Sequence, residues 1–201
     1  TLVVEDDPYG ELYFDTPPPP SLLALSDEVP GSREWLAHCG SFSKILSPGL
    51  RVGWLIAPPE LLAKATMCKQ FSDVHTSNLT QATAAHYLTL NRLDGALAVV
   101  RKTYAERATV MAASLQRELG DSIAFNAPKG GMFFWAHLTG AHGKSASAPE
   151  FAKRAIDKMV AFVPGAPFSA HDPDLSTLRL SFATVGLDKI EEGIARLGQA
   201  L

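Results

Sequence analysis

Four short segments of the sequence carry side chains that could perform chemistry together. They are Glu5-Asp6-Asp7-Pro8-Tyr9, Gly40-Ser41-Phe42-Ser43-Lys44 with Arg51 seven residues after the lysine, Pro128-Lys129-Gly130-Gly131-Met132-Phe133, and Leu178-Arg179-Leu180-Ser181-Phe182. A lysine amine can attack a carbonyl carbon and can carry a proton. Serine hydroxyls and a guanidinium can hold a phosphate or a carboxylate. A carboxylate at the end of a buried strand can accept a strong hydrogen bond from a cationic ring.

Each segment alone has an ordinary structural explanation. A strand-end carboxylate is usually solvated or caps a helix, and a lysine in a serine-rich loop usually lies on the surface. An arginine in an apolar strand usually snorkels to solvent or forms a salt bridge. A Gly-Gly pair before an apolar strand usually marks a turn. The functional interpretation therefore depends on the four segments occurring together.

Two groups of elements are predicted to position these segments. In the first group we expect a buried strand at 1–5, further strands at 35–41 and 51–57, and helices at 59–70 and from about 76–78 to 90. A proline-rich surface loop lies at 17–20, and a long helix at 93–119 should bend or break near its start. The second group is predicted as strands at 123–125, 132–137, 161–163 and 178–182, helices at 148–159 and 187–201, and a loop at 139–147. This order favours a small α+β layer, with a domain boundary near 94–101.

Composition excludes several classes of protein. The 201 residues are 46% hydrophobic and 19% charged with a formal charge of −3, and no basic tract suggests nucleic-acid binding. No apolar run is long enough to cross a membrane, and the acidic residues at 5–7 argue against a signal peptide. Cys39 and Cys68 are too few for a disulfide framework, so a reducing cytoplasm is expected. No His/Cys spacing suggests a metal site, and His38 and Cys39 are expected in the core.

Together the four segments resemble the fold type I aminotransferases, which depend on pyridoxal phosphate (PLP). The Ser-Phe-Ser-Lys sequence with its spaced arginine is the most specific feature. Segments 70–77 and 163–168 resemble the branch that contains 2-aminoadipate and kynurenine aminotransferases. The resemblance runs over nearly the whole chain and implies the C-terminal half of such an enzyme. The chain also starts without Met inside an expected buried strand, which favours a fragment of a longer protein.

The resemblance implies an α/β fold with two parts. Residues 1–95 would be the C-terminal portion of the PLP-binding large domain, built on a mainly parallel sheet. Residues 96–201 would be a linking helix and a small α+β C-terminal domain.

The resemblance also implies roles for the residues that contact the cofactor. Lys44 would form the Schiff base with PLP and then move a proton. Asp6, with Asp7 as second choice, would hold the ring nitrogen protonated, and Tyr9 would donate to the phenolic oxygen of the ring. The phosphate would be held by Ser41, Ser43 and Arg51.

The implied reaction is transfer of an amino group from an L-amino acid to a 2-oxo acid, with 2-oxoglutarate as the expected acceptor. Arg179 would bind the α-carboxylate of the substrate. A homodimer is implied, with no nucleic-acid contacts from this segment. The other half of the family's site normally brings a phosphate loop, a stacking aromatic ring and an asparagine, so this segment alone is expected to be inactive.

Three other classes of protein share part of this pattern. Val3-Val4-Glu5-Asp6-Asp7 is typical of a receiver domain, but no aspartate occurs between Asp27 and Asp73 to accept a phosphoryl group. Ser41-x-x-Lys44 matches a serine-enzyme motif whose partner motifs, S-D-N and K-T-G, are absent from the sequence. The third is a PLP-sensing, aminotransferase-like effector domain of a winged-helix transcriptional regulator. The sequence upstream of this chain would discriminate this regulator from an enzyme.

Overall fold

The chain folds into two units, Thr1–Val100 and Arg101–Leu201. The structure is a computed structural model that describes residues 1–141 and 146–201. Residues 142–145, within the predicted loop 139–147, lie outside the described residues. The assignment of the two units to the large and small domains of an aminotransferase stays a prediction.

A three-stranded sheet organises the first unit. Its elements are β1 (Val3–Asp6), α1 (Leu22–Leu25), β2 (Leu36–Ser41), β3 (Gly53–Ile56), α2 (Pro59–Ser72) and α3 (Asn78–Thr89), with short 3₁₀ turns at Gly10–Leu12, Ser32–Trp35 and Pro48–Leu50. The strand order is β1-β2-β3. β1 runs parallel to β2, whereas β3 runs antiparallel to it. The expectation of a mainly parallel sheet is therefore wrong for these strands, because β3 returns through the short connection after Ser41 rather than through a crossover helix.

The first strand is not buried as predicted. Val3 and Val4 are 45% and 59% exposed, because β1 forms one edge of the sheet. An apolar run indicates that a segment prefers burial, but it does not show that a covering element lies within the same chain. The expected core positions His38 and Cys39 on β2 are only half-buried.

A single long helix, α4 (Leu93–Leu119), crosses the boundary between the units. The predicted break near its start is wrong: Gly95 is accommodated, and Ala96 N donates to Arg92 O at 3.1 Å. One helical glycine costs only about 1 kcal/mol, which the rest of a long helix offsets. Gly120 ends the helix as predicted, with φ +49° in the left-handed region that favours glycine.

The second unit is an antiparallel sheet covered by helices. Its elements are a 3₁₀ turn (Gly120–Ser122), β4 (Ile123–Phe125), β5 (Phe133–Leu138), α5 (Ala148–Asp157), β6 (Val163–Pro164), a 3₁₀ turn (Ala166–Phe168), β7 (Thr177–Ser181) and α6 (Leu187–Gln199). The sheet order is β4-β5-β7-β6, with all pairs antiparallel. The predicted order of strands and helices is confirmed.

Most of the buried apolar side chains that the structure describes lie in this second unit. Phe134 and Phe182 are fully buried and meet edge to face at 5.9 Å between ring centroids. Because side chains alternate along a strand, one face of β5 enters this core. The other face presents Phe133, Trp135 and His137, which are half-buried or exposed.

Candidate active site

The candidate cofactor site lies where β1 and β2 end. The two strands are parallel and pair Asp6 with Cys39, and Asp7 N donates to Cys39 O at 3.1 Å. Ser41 is two residues beyond Cys39, so alternation places it on the same face of the sheet as Asp6. Carboxyl ends of parallel strands are the usual place for a ligand in an α/β sheet. The topology therefore brings the acidic segment and the lysine segment to the same end of the sheet, where β1 and β2 finish.

Lys44 occupies a hydrogen-bonded turn directly after β2. Leu46 N and Ser47 N both donate to Phe42 O, at 2.9 and 3.0 Å, and Phe42 N donates to Val52 O at 3.1 Å. The lysine is half-buried. These bonds fix the backbone on both sides of the amine, so the turn holds Lys44 at the end of the sheet.

Packing beneath the turn explains why glycine and phenylalanine flank the serine. The ring of Phe42 lies 4.9 Å from the Trp54 ring between centroids. Gly40 pairs with Trp54 across the sheet, and a Cβ at Gly40 would lie 2.2 Å from the indole. Gly40 is therefore required for Trp54 to lie over β2 and support Phe42.

A cluster of two serines and one arginine lies beside Lys44 in the chain. Ser43 N donates to Ser41 Oγ at 3.1 Å, and Arg51 Nη1 is 3.4 Å from Ser43 Oγ and 3.3 Å from Pro48 O. Arg51 has φ +54°, a conformation that costs a non-glycine residue about 1–2 kcal/mol. This backbone turn directs the guanidinium back onto the serine turn. Two hydroxyls and one guanidinium are a suitable donor set for a phosphate.

The structure distinguishes the two candidate aspartates. Asp7 Oδ1 accepts from Tyr9 N at 3.2 Å and from Gly10 N at 2.7 Å, so Asp7 is used in the turn after β1. Among the described residues, none hydrogen-bonds the exposed Asp6 carboxylate. The acceptor atoms of Asp6 are thus unoccupied among the described residues, and Tyr9 follows in the same turn with 37% of its surface exposed.

A half-buried hydrogen-bonded pair beside this site was not found from the sequence. Glu5 Oε2 is 2.9 Å from His38 Nδ1, and Glu5 accepts from Leu22 N at 2.7 Å and Leu23 N at 3.4 Å. Burial raises the pKa of Glu5, but the hydrogen bonds from Leu22 and His38 outweigh it and lower the pKa below its ordinary value of 4.5. Glu5 therefore ties β1 to β2 and to the start of α1. No local pattern connects Glu5 with residues 17 to 33 positions away.

Arg179 lies in the second unit, on the outward face of β7. Its guanidinium carbon is 4.3 Å from the centroid of Phe133 and 4.7 Å from that of Phe168. No described residue accepts a hydrogen bond from Arg179, and the residue is half-buried. The aromatic neighbours were not predicted, although segments 128–133 and 163–168 were noted for their resemblance.

Other candidate sites contribute little. A cleft of about 460 Å³ lies between the proline loop and Trp54; Asp7 and Ser41 line it, whereas Asp6 and Lys44 do not. Over residues 1–141 and 146–201, no group of His, Cys, Asp and Glu could hold a metal ion. Within the same ranges, no helix is long and apolar enough to cross a membrane.

Comparison with known proteins identifies the family of this chain. The chain belongs to the class I and II aminotransferases, whose family pattern matches residues 1–197. It is 45% identical over 202 residues to the 2-aminoadipate transaminase of Thermus thermophilus, covering 100% of this chain and 49% of the relative. The crystal structure of an α-aminoadipate aminotransferase from Thermus thermophilus, complexed with N-(5'-phosphopyridoxyl)-L-leucine, matches with a TM-score of 0.90 and 44% identity. That match covers 100% of this chain and 50% of the other.

A different kind of relative is also similar. The HTH-type transcriptional regulator TauR of Rhodobacter capsulatus is 34% identical over 203 residues, covering 100% of this chain and 40% of the regulator. The chain spans about half the length of the curated aminotransferases it matches. That it corresponds to their C-terminal half stays a prediction. Family membership indicates PLP as the cofactor. The donor set of Ser41, Ser43 and Arg51, together with the unbonded Asp6 carboxylate, fits that group.

Proposed function

We propose that this chain supplies one half of a PLP-dependent aminotransferase that moves an amino group from an L-amino acid to a 2-oxo acid. The observation that carries the proposal is the convergence of Lys44, the Ser41–Ser43–Arg51 cluster and Asp6 at one sheet edge. The similarity to a 2-aminoadipate transaminase favours 2-aminoadipate as an amino donor. The acceptor that the family resemblance implies is 2-oxoglutarate.

The proposed residues divide the work of binding the cofactor. When bound, PLP supplies an aldehyde that takes up an amino group and a ring that withdraws electrons from the substrate α-carbon. Arg51, Ser41 and Ser43 bind its phosphate. Asp6 accepts a hydrogen bond from the ring nitrogen and keeps it protonated, because a fixed negative charge favours the cationic form.

Lys44, Tyr9 and Arg179 act on the reacting groups. The Lys44 amine would be the group that holds the cofactor, and it would carry a proton to or from the substrate α-carbon. Tyr9 donates a hydrogen bond to the phenolic oxygen of the ring. Arg179 binds the substrate α-carboxylate with a forked pair of N–H donors, which orients the α-carbon.

Residues beyond this chain are proposed to complete the site. The cluster offers two hydroxyls and one guanidinium to a phosphate, and the exposed apolar side chains of β1 indicate a missing covering element. We therefore propose that residues 1–201 alone have no transaminase activity and that the full enzyme is a cytoplasmic homodimer. An assay of the 201-residue chain with PLP tests this. Turnover by a species that light scattering shows to be a monomer would contradict it.

The regulator alternative has weaker support. TauR is 34% identical to this chain, compared with 45% for the 2-aminoadipate transaminase. Measuring transamination by the complete polypeptide distinguishes the two functions, since a PLP-sensing effector domain is not expected to turn over amino donors.

Substitution of the two arginines tests the division of labour. Arg51→Ala should raise the dissociation constant for PLP roughly 10- to 100-fold, the effect of losing a charged hydrogen bond. Arg179→Ala should leave PLP binding nearly intact and raise the KM for amino acids by a similar factor. Arg92→Ala, at an exposed position before α4, serves as the matched control. The same phenotype for both site variants would refute the assignment.

A further inference from the structure

The surroundings of Arg179 suggest how its guanidinium is oriented. Its carbon lies 4.3 Å from the Phe133 ring centroid and 4.7 Å from the Phe168 ring centroid. Both distances are well inside the range of about 6 Å over which an aromatic face attracts a cation. Because Arg179 has no hydrogen-bond acceptor among the described residues, the two ring faces are the groups that orient its guanidinium within the second unit.

Phe168 is itself held firmly against the sheet. It ends the 3₁₀ turn Ala166–Phe168, where Phe168 N donates to Gly165 O at 2.9 Å. Gly165 N donates to Thr177 O on β7 at 2.7 Å. The Trp135 ring meets the Phe168 ring edge to face, with centroids 5.7 Å apart.

Gly165 allows this segment to approach the sheet. A Cβ at this position would lie 2.1 Å from Thr177 Oγ1 and 2.9 Å from the Trp135 ring. No other residue fits there without displacing the turn or its neighbours, so the glycine sets the distance between Phe168 and Arg179. The position of Phe168 is thus built into the backbone, although the residue is 53% exposed.

We propose that Phe133 and Phe168 are positioning residues for the carboxylate-binding arginine. Their ring faces hold the guanidinium in one orientation, and its N–H groups remain available for a forked bond to the α-carboxylate. Holding the arginine before the substrate arrives lowers the entropic cost of binding. This inference rests on the proposed role of Arg179. It adds that the aromatic rings act through the arginine and not through the substrate side chain.

The test compares Phe168 variants in the complete polypeptide loaded with PLP. KM and kcat are measured for L-2-aminoadipate, L-leucine and L-phenylalanine, and the dissociation constant of glutarate is measured by calorimetry. Phe168→Leu should raise all three KM values and the glutarate constant by a common factor of roughly 3 to 30, with little change in kcat. Phe168→Tyr keeps the ring face and should give KM values and a glutarate dissociation constant close to those of the wild type. In an Arg179→Ala background, Phe168→Leu should add nothing.

A matched control separates positioning from general loosening of the unit. Phe162→Leu removes a ring that lies 5.3 Å from Phe151 and does not stack on Arg179. It should leave every KM unchanged.

Three results would overturn the inference. An effect of Phe168→Leu on one donor only would mean that the ring contacts the substrate side chain. Unchanged KM values in Phe168→Leu, alongside raised values in Arg179→Ala, would reject the inference and leave the proposed function standing. Unchanged values in Arg179→Ala itself would reject the proposed role of the arginine and this inference with it.

Discussion

Replacing Glu5 by glutamine should lower the free energy of unfolding of the first unit, and the hydrogen bonds of Glu5 indicate by how much. The carboxylate makes two short contacts, to Leu22 N at 2.7 Å and His38 Nδ1 at 2.9 Å, and its side chain is 18% exposed. A charged hydrogen bond contributes about 1.5–3 kcal/mol and a neutral one about 0.5–1.5 kcal/mol. Glutamine keeps one acceptor oxygen but loses the charge. Glu5→Gln should therefore lower the free energy of unfolding of this unit by about 2 kcal/mol.

Tryptophan fluorescence can follow this unit separately. Trp35 and Trp54 lie in the first unit and Trp135 in the second, so urea unfolding in a Trp135→Phe background reports on the first unit. Glu28→Gln is the matched control, because Glu28 is exposed and has no side-chain hydrogen bond among the described residues. The control should change the urea midpoint very little.

The same substitution predicts a dependence on pH. The pKa of Glu5 is lowered in the folded state, so its carboxylate stabilises the fold above the unfolded pKa of about 4.5. That stability is lost as the pH falls through the lower, folded pKa. The difference between wild type and Glu5→Gln should be full at about pH 7 and shrink below about pH 4.5. A difference that is absent near neutral pH, or one that grows in acid, would refute this reasoning.

Two further predictions concern residues at or near the carboxyl ends of β1 and β2. Asp6→Asn should lower kcat roughly 10- to 100-fold by removing the charged acceptor for the ring nitrogen. Asp7→Asn should change kcat little, because an amide oxygen still accepts from Tyr9 N and Gly10 N, and equal losses of kcat in the two variants would reject the choice of Asp6. Gly40→Ala should destabilise the first unit by about 1–3 kcal/mol, since the new methyl meets Trp54. Urea unfolding followed by tryptophan emission in the Trp135→Phe background measures this. An unchanged midpoint would show that Trp54 can move aside at no cost.

Local sequence patterns predicted the helices and strands well where the structure of a segment depends mainly on its own residues. Gly120 marks the end of α4, and alternation along β5 and β7 indicates which side chains enter the core of the second unit. The four segments were chosen because of residue types at fixed spacing. In the turn around Lys44, Phe42 and Arg51 are held by contacts with residues close to them in sequence.

Contacts between distant segments could not be predicted. Glu5 and His38 are 33 residues apart and appeared to be a strand-end acid and a core histidine. Phe133 and Phe168 reach Arg179 only because β5, β6 and β7 are neighbours in the sheet. The burial of β1 was predicted wrongly for a related reason, since an apolar pattern does not reveal which chain segment covers it.

Covalent trapping of the cofactor shows which lysine holds it. The complete polypeptide is incubated with PLP, reduced with borohydride, digested and mapped by mass spectrometry. We predict a phosphopyridoxyl group on Lys44, in the turn that follows β2, and none in a Lys44→Ala variant. A group found instead on Lys64, Lys69 or another lysine would contradict the assignment of the site.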